Sequence, residues 1–71
     1  MARDNKSQPT FGDRLKDFRM DAELTQAELA NLVGLSQGGI QKIENNEVEP
    51  TDLTKARIMK RIPSMREKVS A

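Results

Sequence analysis

Two helix N-cap signals, separated by a glycine at which the first of these helices would end, constrain the fold of this chain more than any other feature. Thr25 and Glu28 form a capping box, in which a hydroxyl and a carboxylate satisfy free backbone N–H groups at a helix start. Gly34 stands where that helix would end in the left-handed conformation that glycine tolerates. Ser36 is a second N-cap. Only Leu35 separates Gly34, which ends one helix, from Ser36, which begins the next. Because the turn is so short, the two helices must cross at a steep angle.

The same signals predict helices on either side. The first helix begins at Thr10 and ends between residues 20 and 22, with Leu15 on its apolar face. The third helix follows the second cap and runs over residues 37–45, and Ile40 faces inward.

A fourth helix is capped by Thr51 or Asp52 and ends before Pro63, which cannot continue it. Apolar residues recur at every third position of this helix, with Ile58 next to them, and they are predicted to form its buried face. They are Leu53, Ala56, Met59 and Ile62. Ser64 can cap a short fifth helix that carries Met65 and Val69.

The chain has room for one domain. Seventy-one residues hold a single small core. Residues 1–9 are polar and lack periodicity, so they are predicted to form a disordered N-terminal arm. No strand of useful length is present. We therefore predict an all-α fold, a compact five-helix domain over residues 10–71.

The composition excludes several classes of protein. The chain has no cysteine and no histidine, which removes disulfides, Cys/His zinc sites, thiol nucleophiles and the usual general base near neutral pH. No glycine loop follows a strand to bind phosphate, so we expect no enzyme, metal, cofactor or small-molecule substrate. The sequence lacks a secretory signal and any run of about 18 apolar residues, so a cytoplasmic protein without membrane contact is expected.

The net charge of +1 is distributed unevenly. Residues 1–20 carry five basic and three acidic side chains, whereas residues 21–50 carry six acidic ones and only Lys42 as a base. Residues 51–71 carry six basic and two acidic side chains. If a protein with this amino-acid sequence binds DNA, it must concentrate its positive charge on one face. The six basic side chains of residues 51–71 are expected either to lie beside DNA phosphates or to form a solvated face.

The segment from Leu24 to Asn46 resembles the helix-turn-helix of the phage Cro and lambdoid repressor family, the XRE-type regulators. It matches the family pattern at Leu24, Thr25, Gln26, Leu29, Ala30, Gly34, Leu35, Ser36, Ile40, Ile43 and Glu44. The resemblance extends over about residues 11–62 and places the helix-turn-helix at about residues 25–45. Two departures stand out: many members carry Lys-Gly where this chain has Ala22-Glu23, and Gly38-Gly39 lie side by side in the recognition helix.

The resemblance implies a double-stranded DNA operator as the partner and assigns residues to it. The expected base contacts are Gln37, Gly38, Gln41 and Lys42, since glutamine amides pair with adenine and lysine with guanine. The expected phosphate contacts are Thr25, Gln26, Ser36, Gly39, Asn45 and Arg19, several of them at helix N-termini. Gln26 is also expected to brace Gln37. Arg19 and Glu44 are expected to form a structural ion pair between the first and third helices.

The resemblance further implies a Cro-like repressor that binds an inverted repeat as a homodimer and occludes a promoter. Ile62, Met65 and Val69 are candidates for the dimer interface, or else they close the monomer's own core. No second domain follows, which resembles Cro-like proteins, although an isolated DNA-binding fragment would look the same. Three alternatives stay open: an antitoxin, a restriction–modification controller of the same fold, and a protein-interaction module that binds no DNA.

Overall fold

A computed structural model describes residues 9–65, and within them the chain forms four α-helices and one 3₁₀ turn. The elements are α1 (Phe11–Asp21), α2 (Gln26–Val33), α3 (Gln37–Glu44), α4 (Asp52–Arg61) and the 3₁₀ turn (Pro63–Met65). No strand occurs in this range, so the all-α prediction is confirmed for the described residues.

Each α-helix begins at a hydroxyl side chain that accepts the backbone N–H three residues further on. The distance is 3.0 Å at the first three caps and 3.2 Å at the fourth. The caps are Thr10, Thr25, Ser36 and Thr51. Thr51, rather than Asp52, therefore starts α4. The sequence signals located the first three helix starts, and the structure decides the fourth in favour of Thr51.

Each of the first three helices is followed, one or two residues after its last residue, by a residue with left-handed backbone conformation. These residues are Glu23 (φ 60°), Gly34 (φ 76°) and Asn46 (φ 62°). After α1, the N–H of Glu23 donates to the carbonyl of Met20, and that of Leu24 to the carbonyl of Arg19. This is the Schellman arrangement. Glu23 occupies a conformation that favours glycine.

The core lies where α1, α2 and α3 meet α4 and the 3₁₀ turn. Its four fully buried side chains are Leu15, Leu29, Ile40 and Ile58. Phe11 and Phe18 pack against the core from its edge. Helices α2 and α3 pack extensively against each other, as the short turn between them requires.

The predicted apolar face of α4 is wrong in its first half. Leu53 is 66% exposed and Ala56 is also exposed, whereas Ile58 and Ile62 are buried. A helix turns 100° per residue, so Leu53 and Ile62, nine residues apart, point in opposite directions. The residues buried in the core are therefore the isoleucines at i and i+4, Ile58 and Ile62, and not the whole series of apolar residues at every third position.

The fifth predicted helix is not confirmed, because the residues after α4 form only the 3₁₀ turn Pro63–Met65 within the described range. Ile62 and Met65 are each 3% exposed and belong to the core of the monomer. Of the two alternatives for these residues, their burial favours closure of the monomer's own core, and a role at a dimer interface stays a prediction. Val69 and residues 1–8 of the predicted arm lie outside the described residues.

The start of α1 packs closely on the end of α3. A Cβ atom at Gly12 would overlap the backbone carbonyl oxygen of Ile43, so glycine is required there by space. Beside it, the Asn46 side chain accepts the Thr10 hydroxyl at 2.7 Å and donates to Asp13 at 3.1 Å. These contacts join the start of α1 to the turn that follows α3.

Candidate nucleic-acid interface

Helix α3 has one face fixed in the core and one face open to solvent. Ile40 and Ile43 are buried on the inner face. The residues expected to contact bases are all exposed: Gln37, Gly38, Gln41 and Lys42. Within residues 9–65, the side chains of Gln37, Gln41 and Lys42 make no hydrogen bond or ion pair. Their donors and acceptors are therefore available to a ligand.

The two adjacent glycines of α3 differ in their surroundings. A Cβ atom at Gly38 would meet no atom within 4 Å, and its φ is not positive, so neither packing nor backbone conformation requires glycine there. A Cβ atom at Gly39 would lie 3.2 Å from the Ser36 hydroxyl oxygen, the oxygen that caps α3. Gly39 thus leaves room for the cap, whereas no contact within residues 9–65 requires a glycine at position 38.

A buried ion pair joins α1 to the end of α3. Arg19 donates from Nε to Oε2 of Glu44 at 2.8 Å and from Nη2 to Oε1 at 3.1 Å. The Glu44 side chain is 1% exposed and that of Arg19 is 16% exposed. A third Arg19 donor, Nη1, reaches the Leu24 carbonyl at 3.0 Å. The guanidinium therefore holds together α3, α1 and the turn before α2.

The Glu44 carboxylate changes the titration of Arg19. Its hydrogen bond raises the pKa of the Arg19 guanidinium above its ordinary value, and its negative charge adds to this. Partial burial acts in the opposite direction and is outweighed. The guanidinium is charged at any physiological pH, which keeps the buried carboxylate neutralised.

Gln26 belongs to the same network. Its Nε2 donates to Oε1 of Glu44 at 3.2 Å, and the side chain is partly buried. No hydrogen bond between Gln26 and Gln37 is present within the described residues, in contrast to the expected bracing. The sequence analysis missed this contact because it depends on where the last turn of α3 lies relative to the first turn of α2.

The other expected phosphate contacts lie at helix ends. Thr25, Ser36 and Asn45 are exposed, and Gly39 is partly buried. The hydroxyls of Thr25 and Ser36 are engaged as caps, and the Asn45 amide donates to Glu47 at 3.3 Å. The N-termini of α2 and α3 still carry the positive end of the helix dipole, which favours an anion nearby.

A groove of about 270 Å³ runs beside α3, between that helix and the start of α4. Its walls include Gly39, Lys42, Val48, Glu49 and Thr51. Nothing in the sequence analysis identified this groove, since it forms only when the loop after α3 folds back along the helix.

The charges around α3 are mostly negative. Lys42 is exposed beside the exposed Glu47 and Glu49 of the following loop. Lys55 of α4 reaches Glu49 at 3.4 Å and lies 5.6 Å from the centre of the Phe11 ring. Of the C-terminal bases, Arg57, Lys60 and Arg61 are exposed on α4, and Arg66 and Lys68 lie outside the described residues.

Comparison with known proteins decides the family. A helix-turn-helix family model of the Cro/C1 type matches residues 15–63, more than half of the chain. The chain belongs to the Cro/C1-type helix-turn-helix family. No curated protein and no solved structure gives a significant match.

Membership of the Cro/C1-type family makes the chain a DNA-binding transcription regulator with a fold that is typically non-enzymatic. The region of this chain that matches the family model contains α2 and α3, and these two helices form the helix-turn-helix. The described residues contain no group of acidic side chains arranged to hold a metal ion. None of the helices among residues 9–65 has the length and apolar character needed to cross a bilayer.

Proposed function

We propose that this protein is a sequence-specific repressor of the Cro type, which binds an inverted-repeat operator as a homodimer in the cytoplasm and excludes polymerase from an overlapping promoter. Each subunit lays α3 in a major groove, and the two grooves lie about 34 Å apart. The observation that carries the proposal is the exposed face of α3, whose polar side chains have no partner within residues 9–65.

The chemistry of that face favours base readout. Gln37 at the start of α3 pairs with adenine N6 and N7, and Lys42 donates to guanine O6 and N7 or to a phosphate. Gln41 lies beside them, and Gly38 lets the helix backbone approach a thymine methyl or the sugar–phosphate wall. Each good side-chain contact discriminates against the wrong base by about 1–3 kcal/mol, and two half-sites roughly double the total.

Phosphate contacts position α3 in the groove. The N-termini of α2 and α3 supply them through Gln26, Thr25 and Ser36, with Gly39, Asn45 and Arg19 near by. Because Ile62 and Met65 are buried in the core of the monomer, we propose that exposed residues form most of the dimer interface. Sedimentation at micromolar concentration, with and without operator DNA, measures whether the dimer exists before binding.

Selection of bound duplexes from a random DNA pool at physiological salt tests the proposal. We expect enrichment of an inverted repeat whose half-sites are about 10 bp apart. Enrichment of a single half-site would support DNA binding and refute the dimer. A Gln37→Ala variant taken through the same selection serves as a control, and we expect it to lose preference at one position of each half-site.

One observation favours a protein-interaction module as a second candidate. Glu23, Glu28, Glu47 and Glu49 are all exposed, so the helix-turn-helix and its flanking turns present considerable negative charge. A basic protein partner would fit that surface. If no duplex is enriched and DNA retention does not depend on salt, the partner-binding module is favoured, and affinity capture becomes the next experiment. An antitoxin or a restriction–modification controller would still enrich an operator.

A further inference from the structure

Among the described residues, Gln26 is the polar side chain that connects α2 to the buried ion pair. Its amide nitrogen donates one hydrogen to Oε1 of Glu44 at 3.2 Å. Within residues 9–65 the second N–H and the amide oxygen have no hydrogen-bond partner. The side chain is anchored at one donor and open at the other, at the first residue of a helix.

We infer that Glu44 is a positioning residue for DNA binding: it holds the Gln26 amide so that the free N–H is directed at a backbone phosphate. This inference rests on the proposed function, since it takes duplex DNA as the ligand. A free glutamine side chain loses rotamer freedom when it binds, whereas one already held by a buried carboxylate has lost most of that freedom on folding.

Arg19 makes this arrangement electrostatically possible. A phosphate bound to Gln26 would share one amide nitrogen with the Glu44 carboxylate, and two negative groups at that separation repel each other. Arg19 forms two hydrogen bonds with that carboxylate, at 2.8 and 3.1 Å, and neutralises it. The ion pair therefore has a role in binding besides its role in holding α1 against α3.

The test is a cycle of DNA affinities measured on the selected duplex by fluorescence anisotropy. Gln26→Ala is made in two backgrounds, the unaltered chain and an Arg19→Met/Glu44→Met variant that lacks the ion pair. Replacing both partners of a buried pair by apolar residues is often neutral for stability, whereas removing one partner is strongly destabilising. All four proteins are compared at a temperature where circular dichroism shows them folded.

In the unaltered background we expect Gln26→Ala to weaken binding about tenfold per half-site, and so about a hundredfold for the dimer, the loss typical of a hydrogen bond to a charged group in each subunit. In the background without the ion pair we expect a loss of no more than about twofold per half-site, because an unanchored amide contributes little. In an Asp17→Asn background, which removes an exposed charge of α1, the loss should remain about tenfold per half-site.

An equal loss in both main backgrounds would overturn the inference, and so would no loss in either. A chain that binds no duplex at all would refute the proposed function together with it. If the variant without the ion pair does not fold, the inference is tested by NMR relaxation of the side-chain amides in the free, unaltered protein. We expect the Gln26 amide to be ordered and those of Gln37 and Gln41 to be mobile; equal mobility would overturn the inference.

Discussion

Removing the charge of Glu44 should destabilise this domain far more than removing that of Glu47. Glu44 is the last residue of α3 and Glu47 lies three positions further on in the following loop, but the Glu44 side chain is 1% exposed and accepts three hydrogen bonds. Glu47 is exposed and accepts one, from Asn45 at 3.3 Å. Glu44→Gln and Glu47→Gln are therefore a matched pair of equal size and charge change.

The magnitude follows from what Glu44→Gln leaves behind. The new amide group would direct its own N–H donors at the donors of Arg19 or Gln26, and the Arg19 guanidinium would lose its counter-ion. Breaking a buried pair costs about 3–5 kcal/mol. Because the Arg19 side chain is 16% exposed and can gain some hydration, we expect the lower end, about 3 kcal/mol. For Glu47→Gln we expect a change within about 0.5 kcal/mol.

Thermal unfolding followed by circular dichroism measures both values. A loss of 1 kcal/mol shifts the Tm of a domain this small by about 4–8 °C, so Glu44→Gln should lower the Tm by about 12–24 °C. Urea unfolding supplies the free energies at 25 °C independently. Equal melting temperatures for the two variants would refute the reasoning, since they would mean that the ion pair contributes nothing beyond an exposed charge.

Three substitutions that remove or introduce a glycine give further predictions, each measured by thermal and urea unfolding. Gly12→Ala should destabilise by about 3 kcal/mol, because its methyl group would overlap the Ile43 carbonyl; retained stability would mean that α1 and α3 can separate freely. Glu23→Gly should stabilise by about 1 kcal/mol by relieving the left-handed strain, and a loss would contradict the φ of 60°. Gly38→Ala should stabilise by about 0.5–1 kcal/mol, since its Cβ meets open space; destabilisation would reveal an unseen contact.

The helix starts of this fold could be predicted from the sequence because capping is local. A hydroxyl residue followed three positions later by a carboxylate satisfies backbone N–H groups within its own turn, as Thr10 and Thr25 do. The stop at Gly34 is equally local. The stops at Glu23 and Asn46 are harder to foresee, because a non-glycine residue enters the left-handed region only when the surrounding fold holds it there.

The orientation of α4 could not be predicted, because the contacts that decide it come from other helices. Leu53 and Ile62 are both apolar, and only the position of α2 and of the 3₁₀ turn selects which of them is buried. The same limit applies to the site. The exposure of Gln37 and Lys42 follows from the helical period, whereas the link from Gln26 to Glu44 depends on the packing of α2 against α3.

Lys42 gives the clearest electrostatic prediction for DNA binding. It is the only basic residue in residues 21–50, it is exposed on α3, and it forms no ion pair within the described residues. Each cation that displaces a counter-ion from duplex DNA adds about −0.9 to the slope of log affinity against log salt concentration. For a dimer on two half-sites, Lys42→Gln should therefore reduce the slope by about two units.

Lys55→Gln is the matched control, because Lys55 already lies 3.4 Å from Glu49 and has part of its charge neutralised in the free protein. We expect its effect on the salt slope to be smaller than that of Lys42→Gln. The measurement is a titration of the selected duplex at several salt concentrations. An unchanged slope for Lys42→Gln would show that this side chain does not reach the DNA, and the base-reading face of α3 would then rest on Gln37 and Gln41 alone.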